Sequence, residues 1–258
     1  MKKIKARNLT GFFVVFVILA AFFILKSSLA LAADSLDSDA DGLADADELN
    51  IYHTDPNNAD TDGDGYSDYE EVYNGYSPRD KDKLKLSRLD SDSDGAPDSW
   101  EIRLGLDLLN PDSDGDSYAD GVEITNGYDP NSSQPQKLAK EIKVDLKTQT
   151  LSYYFNDTEL EKFLISSGIK SMPTPTGQFT ILDKVPVKNY GGPGFNFYLP
   201  NTKWNLHFTT GKYRYYIHGA YWHHNFGHPM SHGCVNVAYG NMERLYNFAQ
   251  VGTKVEIN

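Results

Sequence analysis

Residues 215–236 read YYIHGAYWHHNFGHPMSHGCVN, and this stretch decides which fold and which chemistry the sequence predicts. It holds five of the seven histidines together with Cys234, the only cysteine of the chain. A thiol attacks as its thiolate, so a catalytic cysteine needs a nearby base or positive charge that lowers its pKa from about 8.5. The imidazoles around Cys234 could act in this way, which makes the cysteine a candidate nucleophile.

Two ordered segments are predicted on either side of these histidines. Residues 213–217 are aromatic or β-branched apart from Arg214, which is typical of a strand, and the strand is predicted to end at His218. Gly219 follows, where the backbone can approach a ligand closely. Residues 231–234 form a second tight segment, whose amides around Gly233 could face an oxyanion.

This arrangement resembles the L,D-transpeptidase catalytic domain, also called the YkuD domain. The family signature is a histidine at a strand end, followed by Ser/Thr-His-Gly-Cys-hydrophobic-Asn/Arg, and here it is matched by His218 and residues 231–236, with twelve residues between them. The elements I-x-V-D-L-x-x-Q-x-L at 142–151 and Thr-Pro-Thr-Gly-x-Phe at 174–179 are similar to the family as well. The resemblance implies a mostly β, sandwich-like fold with one short helix, for which residues 241–250 are the candidate.

The resemblance also implies an activity, which is acyl transfer on peptidoglycan stem peptides during cell-wall biogenesis, without a cofactor for catalysis. Cys234 would be the nucleophile and His218 the general base, with the carbonyl of Gly219 holding the imidazole in the useful tautomer. The family attacks the third residue of a tetrapeptide stem and releases D-alanine. The acyl acceptor, whether a stem amine, water or a D-amino acid, stays open.

Further site residues follow from the same resemblance. Ser231, His232 and Gly233 are expected to shape the site and its oxyanion hole. Asn236 stands where many members carry arginine, and it is an expected substrate contact together with Tyr221 and Trp222.

Charge divides the chain into unlike parts. Residues 34–131 contain 28 acidic against six basic residues, a balance of −22, whereas residues 132–258 have a balance of +5. Such an acidic stretch either stays solvated or collects cations. The remainder lacks a dense basic cluster, so nucleic acid is not an expected partner.

A twelve-residue pattern, D-x-D-x-D-G-x-x-D-x-x-E, occurs four times in the acidic part and is typical of calcium loops. The fourth copy has Ser117 where the glycine of position 6 is expected. Acidic residues fill positions 1, 3, 5, 9 and 12 of every copy, and these are the candidate metal ligands: Asp37, Asp39, Asp41, Asp45 and Glu48; Asp60, Asp62, Asp64, Asp68 and Glu71; Asp90, Asp92, Asp94, Asp98 and Glu101; Asp112, Asp114, Asp116, Asp120 and Glu123.

The four copies resemble thrombospondin type 3 and dockerin-like EF-hand repeats, which keep the loop and the exiting helix only. Short helices are predicted at residues 45–52, 68–74, 98–104 and 120–126. Because so short a repeat cannot bury a core by itself, structural calcium is expected to order it. The repeats are expected to form a spacer; binding of wall polymer and pairing with a cohesin-like partner are the alternatives.

The N-terminus has the parts of an export signal. Four basic residues precede an unbroken apolar run at 12–25, and Ala30-Leu31-Ala32 offers a cleavage site. A membrane anchor that is not cleaved is the alternative. In both cases the rest of the chain is expected outside the cytoplasm, in the periplasm, the cell wall or at the cell surface, where a lone cysteine is more plausibly a reagent than half of a disulfide.

The sequence therefore predicts a multidomain chain. Residues 1–33 are the signal peptide or anchor, 34–131 the calcium-binding repeats with short helices, 132–138 a linker, and 139–258 the mainly β catalytic domain. Two other functions are compatible with the residues: a calcium-dependent wall-binding or adhesion protein with an inactive domain, and a zinc hydrolase built on His224, His228, His232 and Cys234.

Overall fold

The computed structural model describes residues 36–191, 197–211 and 213–258. The predicted signal or anchor at 1–33 lies outside these residues. None of the helices in the described ranges combines the length and the apolar character that crossing a bilayer requires. The nine strands are β1 Lys140–Asp145, β2 Thr150–Phe155, β3 Thr158–Ser166, β4 Gly177–Thr180, β5 Asp183–Gly191, β6 Tyr198–His207, β7 Tyr216–Ala220, β8 Val235–Ala238 and β9 Lys254–Ile257.

The strands form one curled sheet in the order β4-β9-β1-β2-β3-β8-β7-β6-β5. Two pairs, β1 with β9 and β7 with β8, are parallel, and the other pairs are antiparallel. Strand β3 joins the two halves, because most of it pairs with β2 while Ile165 and Ser166 pair with β8. The mainly β fold predicted for the second half of the chain is confirmed.

Alternation along the strands explains the core. In β1, Ile142 and Val144 are buried and the residues between them are partly exposed, as the two-residue period of a strand requires. Side chains from both halves of the sheet meet in a single hydrophobic cluster, which includes Leu151, Leu206 and Val235. Strands β5 and β6 were not predicted from the sequence.

Among the described residues, five α-helices accompany the sheet: α1 Asp45–Asp47, α2 Asp68–Asn74, α3 Asp98–Leu104, α4 Asp120–Asn126 and α5 Tyr239–Phe248. A 3₁₀ turn covers Leu86–Arg88. The predictions for α2, α3 and α4 are confirmed to the residue. In the first repeat α1 continues as a π-helical segment, Glu48–Tyr52. Helices α2, α3 and α4 each end at a glycine in the left-handed conformation, the usual residue at this position.

Helix α5 packs on strands β6, β7 and β8 behind the histidine-rich stretch. It begins and ends two residues before the predicted range of 241–250 and buries Met242, Leu245 and Phe248. Its last turn contains no basic residue, yet two distant lysines supply the charge that favours a helix C-terminus. Lys140 Nζ donates to the carbonyl of Phe248, and Lys184 Nζ donates to those of Tyr246 and Ala249, each at 2.6 Å.

The acidic loops associate in two pairs. In the first pair, the Tyr69 N–H of loop two donates to Asp41 Oδ2 of loop one at 2.9 Å. In the second, the Gly121 N–H of loop four donates to Asp94 Oδ2 of loop three at 2.6 Å. Gly121 must be glycine, because a Cβ there would lie 2.5 Å from the backbone nitrogen of Ala96. The pairing thus joins a position-5 carboxylate to the position-10 amide of the following loop.

The second pair of loops packs into the core of the sheet, which differs from the expected spacer. Trp100 of α3 is buried against Tyr153 and Phe248, and its Nε1–H lies 3.1 Å from the Tyr153 hydroxyl. At the end of α4, the Thr125 carbonyl accepts from Lys140 Nζ and Gln250 Nε2. Residues 132–138 stay the proposed linker between the repeats and the β domain. The packing of Trp100 on Tyr153 and Phe248 nevertheless joins the two parts in one hydrophobic core.

Candidate functional site

Parallel strands β7 and β8 bring the two ends of the histidine-rich stretch together. Their register places Ile217 beside Val235 and His218 beside Asn236. Because side chains alternate, His218 and Asn236 lie on the face opposite to the buried Ile217 and Val235, and Cys234 immediately precedes β8. The predicted end of the first strand was wrong: β7 begins at Tyr216 and continues beyond His218, because both its edges are paired.

The imidazole of His218 is held by the backbone next to it. Its Nδ1 lies 3.0 Å from the carbonyl oxygen of Gly219, as the resemblance implied. A carbonyl only accepts, so Nδ1 carries the proton, and Nε2 of the neutral ring keeps a free lone pair. The ring is buried and stacks on Tyr190, with the centroids 4.6 Å apart. This is the tautomer that a general base requires.

The turn before β8 depends on Gly233. Its φ is +111°, and a Cβ would lie 2.3 Å from the Tyr215 ring, so both conformation and space require glycine. Its N–H donates to Ser231 Oγ at 3.1 Å, and the Ser231 hydroxyl donates to the Cys234 carbonyl. The Gly233 N–H thus has a partner within the turn, and the oxyanion role of the amides around Gly233 stays a prediction.

The structure brings most of the predicted site residues to one cavity of about 270 Å³. His232 is exposed at its rim and stacks on Phe197, with centroids 4.7 Å apart. Tyr221 is not among the lining residues, and its hydroxyl donates to the Pro200 carbonyl at 2.9 Å; its role as a substrate contact stays a prediction. The cavity is lined by Tyr190, Phe197, Leu199, His218, Trp222, Met230, Ser231, His232, Cys234 and Asn236.

Four of these lining residues were missed by the sequence reasoning. Tyr190 lies in β5, Leu199 in β6, and Phe197 immediately before β6. The aromatic residues flanking the glycines of 191–194 were the available signal. Met230 carries no chemical signature, so its place in the lining follows only from its position beside Ser231.

Burial determines the resting protonation of the candidate pair. It raises the pKa of the Cys234 thiol to about 11, although the Tyr216 N–H opposes this by donating to the sulfur. It lowers the pKa of His218 to about 4, against the effect of the Gly219 carbonyl. The expectation that imidazoles lower the pKa of this thiol is therefore wrong for the resting state, because an uncharged His218 cannot stabilise a thiolate.

These pKa directions predict how alkylation of Cys234 depends on pH. Between pH 5 and pH 10 both groups are neutral, so the thiolate fraction rises about tenfold per pH unit as pH increases toward 11. We expect the iodoacetamide reaction rate to rise in the same way from pH 6 to pH 9. Mass spectrometry of the full chain measures the rate at its only cysteine. A plateau between pH 5 and pH 8 would instead indicate a preformed thiolate–imidazolium pair.

The acidic loops form a second kind of site. In each loop the carboxylates of positions 1, 3 and 5 approach closely, with the candidate ligand oxygens all within 4.8 Å of one another. The glutamate of position 12 is buried in every loop and has at least one carboxylate oxygen without a partner in the described ranges. These glutamates are Glu48, Glu71, Glu101 and Glu123.

The glutamates of position 12 have raised pKa values, chiefly because they are buried. Burial and the neighbouring carboxylates raise the pKa of Glu101 to about 9 and that of Glu71 to about 7. An oxygen-rich cluster of this kind fits a hard divalent cation such as calcium. In loop four Ser117 takes the left-handed conformation expected of glycine, with φ of +79°, so that loop closes as the others do.

The aspartates of position 9 have a different environment from the one predicted. Asp98 accepts from both the backbone N–H and the hydroxyl of Ser91, and each of the other three binds the residue at position 2 of its own loop in the same way. These hydrogen bonds close each loop, and the role of the position-9 aspartates as metal ligands stays a prediction. These aspartates are Asp45, Asp68, Asp98 and Asp120.

The histidines of the zinc hypothesis do not come together. His224 and His228 are exposed, whereas Cys234 lies in the cavity. Among the residues that the structure describes, the groups close enough to hold a metal ion are the four acidic triads. The histidine-rich stretch contributes to none of them.

Comparisons with known proteins also separate the acidic repeats from the mainly β part of the chain. The family model of the L,D-transpeptidase catalytic domain, YkuD, matches residues 139–257, and the model of the bacterial TSP3 repeat matches residues 37–59 and 60–75. A putative L,D-transpeptidase YkuD of Bacillus licheniformis is 28% identical over 162 residues, which cover 63% of this chain and 90% of the relative. Its counterpart in Bacillus subtilis is 27% identical over 129 residues, covering 50% of this chain and 72% of the relative.

Among solved structures, an L,D-transpeptidase from Mycobacterium smegmatis is 26% identical, with a TM-score of 0.44. The match covers 47% of this chain and 59% of that protein. Residues 139–257 of this chain belong to the L,D-transpeptidase catalytic domain family, YkuD, and bacterial TSP3 repeats precede them.

Proposed function

We propose that the protein is a peptidoglycan L,D-transpeptidase that works through a cysteine acyl-enzyme. The observation that carries the proposal is the common cavity of Cys234 and His218, in which His218 is uncharged with Nδ1 bound to the Gly219 carbonyl. This leaves Nε2 as a base in the same cavity as a thiol that is itself protonated at rest. A neutral pair of this kind can transfer its proton as the sulfur attacks.

In the first half-reaction, Cys234 Sγ attacks the carbonyl carbon of the third residue of a tetrapeptide stem. The thiol proton passes to His218 Nε2, and then to the amine that leaves as the carbon–nitrogen bond breaks. The product is a thioester on Cys234 and free D-alanine. Because the Gly233 N–H is bound to Ser231, we assign the oxyanion to the neighbouring Cys234 N–H.

In the second half-reaction, the amine of another stem peptide attacks the thioester. His218 accepts the proton of that amine, a carbon–nitrogen bond forms, and the carbon–sulfur bond breaks to return the thiol. The same chemistry with water as the acceptor gives hydrolysis, and with a D-amino acid it gives exchange. Trp222 and Phe197 supply the apolar walls that would separate the thioester from bulk water.

We also propose that the acidic loops bind calcium as a structural ion. The triads at positions 1, 3 and 5 and the glutamates of position 12 would hold it, which is supported by the buried glutamate oxygens without partners. Bound calcium would neutralise the clustered carboxylates and hold each loop against its exiting helix. No catalytic step depends on it. The stem-peptide substrate implies a location outside the cytoplasm, by secretion or by an N-terminal anchor.

Incubating the full chain with a tetrapeptide stem and an amine-bearing second stem, in buffer that contains calcium, tests the proposal. We expect mass spectrometry to detect free D-alanine together with a cross-linked product of equal amount. D-alanine without cross-link would identify water as the acceptor. Absence of D-alanine release by folded protein whose Cys234 is still alkylated by iodoacetamide would contradict the function.

A further inference from the structure

Behind the cavity, the carboxamide of Asn236 meets a histidine to which no role was assigned. Asn236 is 2% exposed and lines the cavity, whereas His223 is half-buried in the segment after β7. The structure places the NH₂ end of the carboxamide 3.1 Å from His223 Nε2, and its oxygen is buried without a partner in the described ranges. The identity of that end, oxygen or NH₂, decides what Asn236 offers to a substrate, since a 180° turn exchanges the two.

The backbone determines the tautomer of His223. The Asn225 N–H lies 3.3 Å from His223 Nδ1 and, as a backbone amide, can only donate. Nδ1 is therefore the acceptor. Burial and the nearby His224 lower the pKa of His223, so the ring is neutral at pH 7 and its one proton is on Nε2.

A protonated Nε2 needs an acceptor, and the carboxamide has one only at its oxygen. Asn236 meets this requirement only when its carboxamide is turned by 180° from the orientation given above, with the oxygen toward His223 and the NH₂ away from it. The end of the amide remote from His223 is buried and has no partner in the described ranges of the chain. A buried polar group without a partner costs free energy, so this end is the part of Asn236 that remains for a ligand.

We propose that His223 is a positioning residue, which turns the Asn236 carboxamide so that its NH₂ donates to an acceptor oxygen of the bound stem peptide. The acceptor is a carbonyl or a carboxylate close to the attacked bond. The inference rests on the proposed function. In the opposite orientation the oxygen of Asn236 would face the substrate and select an ammonium or another donor.

The tautomer itself provides a test that needs no substrate. In the full chain with calcium, nitrogen NMR of labelled histidine distinguishes a protonated Nε2 from a protonated Nδ1. We expect His223 to be protonated on Nε2, and we expect His218, whose Nδ1 faces the Gly219 carbonyl, to show the opposite pattern in the same spectrum. Protonation of His223 on Nδ1 would overturn the inference.

Kinetics with the tetrapeptide stem tests the consequence for binding. We expect His223→Ala to raise KM roughly five- to tenfold, since the loss of one hydrogen bond frees the carboxamide to turn, with kcat changed less than twofold. His223→Gln should restore most of the affinity, because its side-chain NH₂ can still donate to the Asn236 oxygen. Equal KM for His223→Ala and the wild type would count against the positioning role.

Asn236→Asp separates the two orientations. Its carboxylate still accepts from His223 but no longer donates to the substrate, so we expect KM to rise roughly tenfold to hundredfold. For a stem whose carboxylate is replaced by an amide, the rise in KM of Asn236→Asp should be smaller. The repulsion between the two carboxylates is then absent, and only the loss of the NH₂ donor of Asn236 still weakens binding. Unchanged or tighter binding by Asn236→Asp would show that an oxygen faces the substrate and would overturn the inference.

Two controls separate this inference from the proposed function. His224→Ala removes an exposed imidazole one residue further along the chain and should leave KM within twofold of the wild type. Iodoacetamide carries no stem peptide, so its reaction with Cys234 should be equal in the wild type and in the His223 and His224 variants; Asn236→Asp is left out because its added charge lies in the same cavity. A wild type that is alkylated but does not turn over the stem contradicts the function, whereas an active wild type with unaffected His223 and Asn236 variants contradicts only the inference.

Discussion

Cys234→Ala is expected to lower the rate of D-alanine release by at least about 10⁴-fold, because no other thiol exists in the chain to carry the acyl group. His218→Ala is expected to lower this rate by a similar factor. The Cys234 thiol, with a pKa of about 11, loses hardly any of its protons to solvent at neutral pH and depends on the imidazole as a base. The double variant should fall no further than Cys234→Ala, because the two residues act as one unit. Mass spectrometry of D-alanine over time measures all three.

The matched control for His218 is His228→Ala, which removes an exposed imidazole from the same stretch. Its rate should stay within twofold of the wild type. Thermal unfolding of each variant establishes that the fold is retained, and Cys234 is only half-buried, so its truncation leaves no closed void. Residual turnover above about one hundredth of the wild-type rate in Cys234→Ala would contradict the acyl-enzyme mechanism.

Removal of calcium is expected to destabilise the catalytic sheet as well as the repeats. Trp100 and Glu101 are neighbours in α3: the indole packs into the core of the sheet, and the carboxylate is buried at position 12 of the third loop with both oxygens unpartnered among the described residues. When a chelator removes the ion, the clustered carboxylates of the third loop repel one another and α3 loosens. Trp100, which is part of α3, then loses its contacts with Tyr153 and Phe248. At a calcium concentration of 100 times Kd, one site contributes about 2.7 kcal/mol.

For a chain of this size, that free energy corresponds to a fall in Tm of about 5–10 °C on chelation. Calorimetry with calcium and with chelator measures it. Glu101→Gln should abolish most of the calcium-dependent rise in the Tm of the sheet. Glu71→Gln is the matched control, since it changes the same position in the second loop, and the buried core of the sheet contains no residue of loops one and two among those described.

The comparison of the two glutamine variants isolates the coupling. If Glu101→Gln and Glu71→Gln alter the transition of the sheet equally, the third loop has no special connection to the catalytic domain. If neither variant nor the chelator shifts any transition, calcium has no structural role in the loops. The expected result is a shift in the sheet that depends on Glu101 and hardly on Glu71.

The sequence by itself determined the features that depend on neighbouring residues. Each acidic loop draws its candidate ligands from twelve consecutive residues, and α2, α3 and α4 end at glycines, so their ranges could be predicted to the residue. The mainly β domain and its family followed from alternation and from the His218 and Ser-His-Gly-Cys elements. In all of these the interacting groups are close along the chain.

Only the tertiary structure decided the features that depend on distant residues. Trp100 bonds to Tyr153, 53 residues away, and this contact makes the third loop part of the catalytic core. Tyr190 lies over His218 because β5 and β7 flank β6 in the sheet. Burial, which no short window of sequence specifies, makes Cys234 and His218 a neutral pair rather than an ion pair. Local patterns specify which groups are present, whereas packing specifies their partners and their protonation.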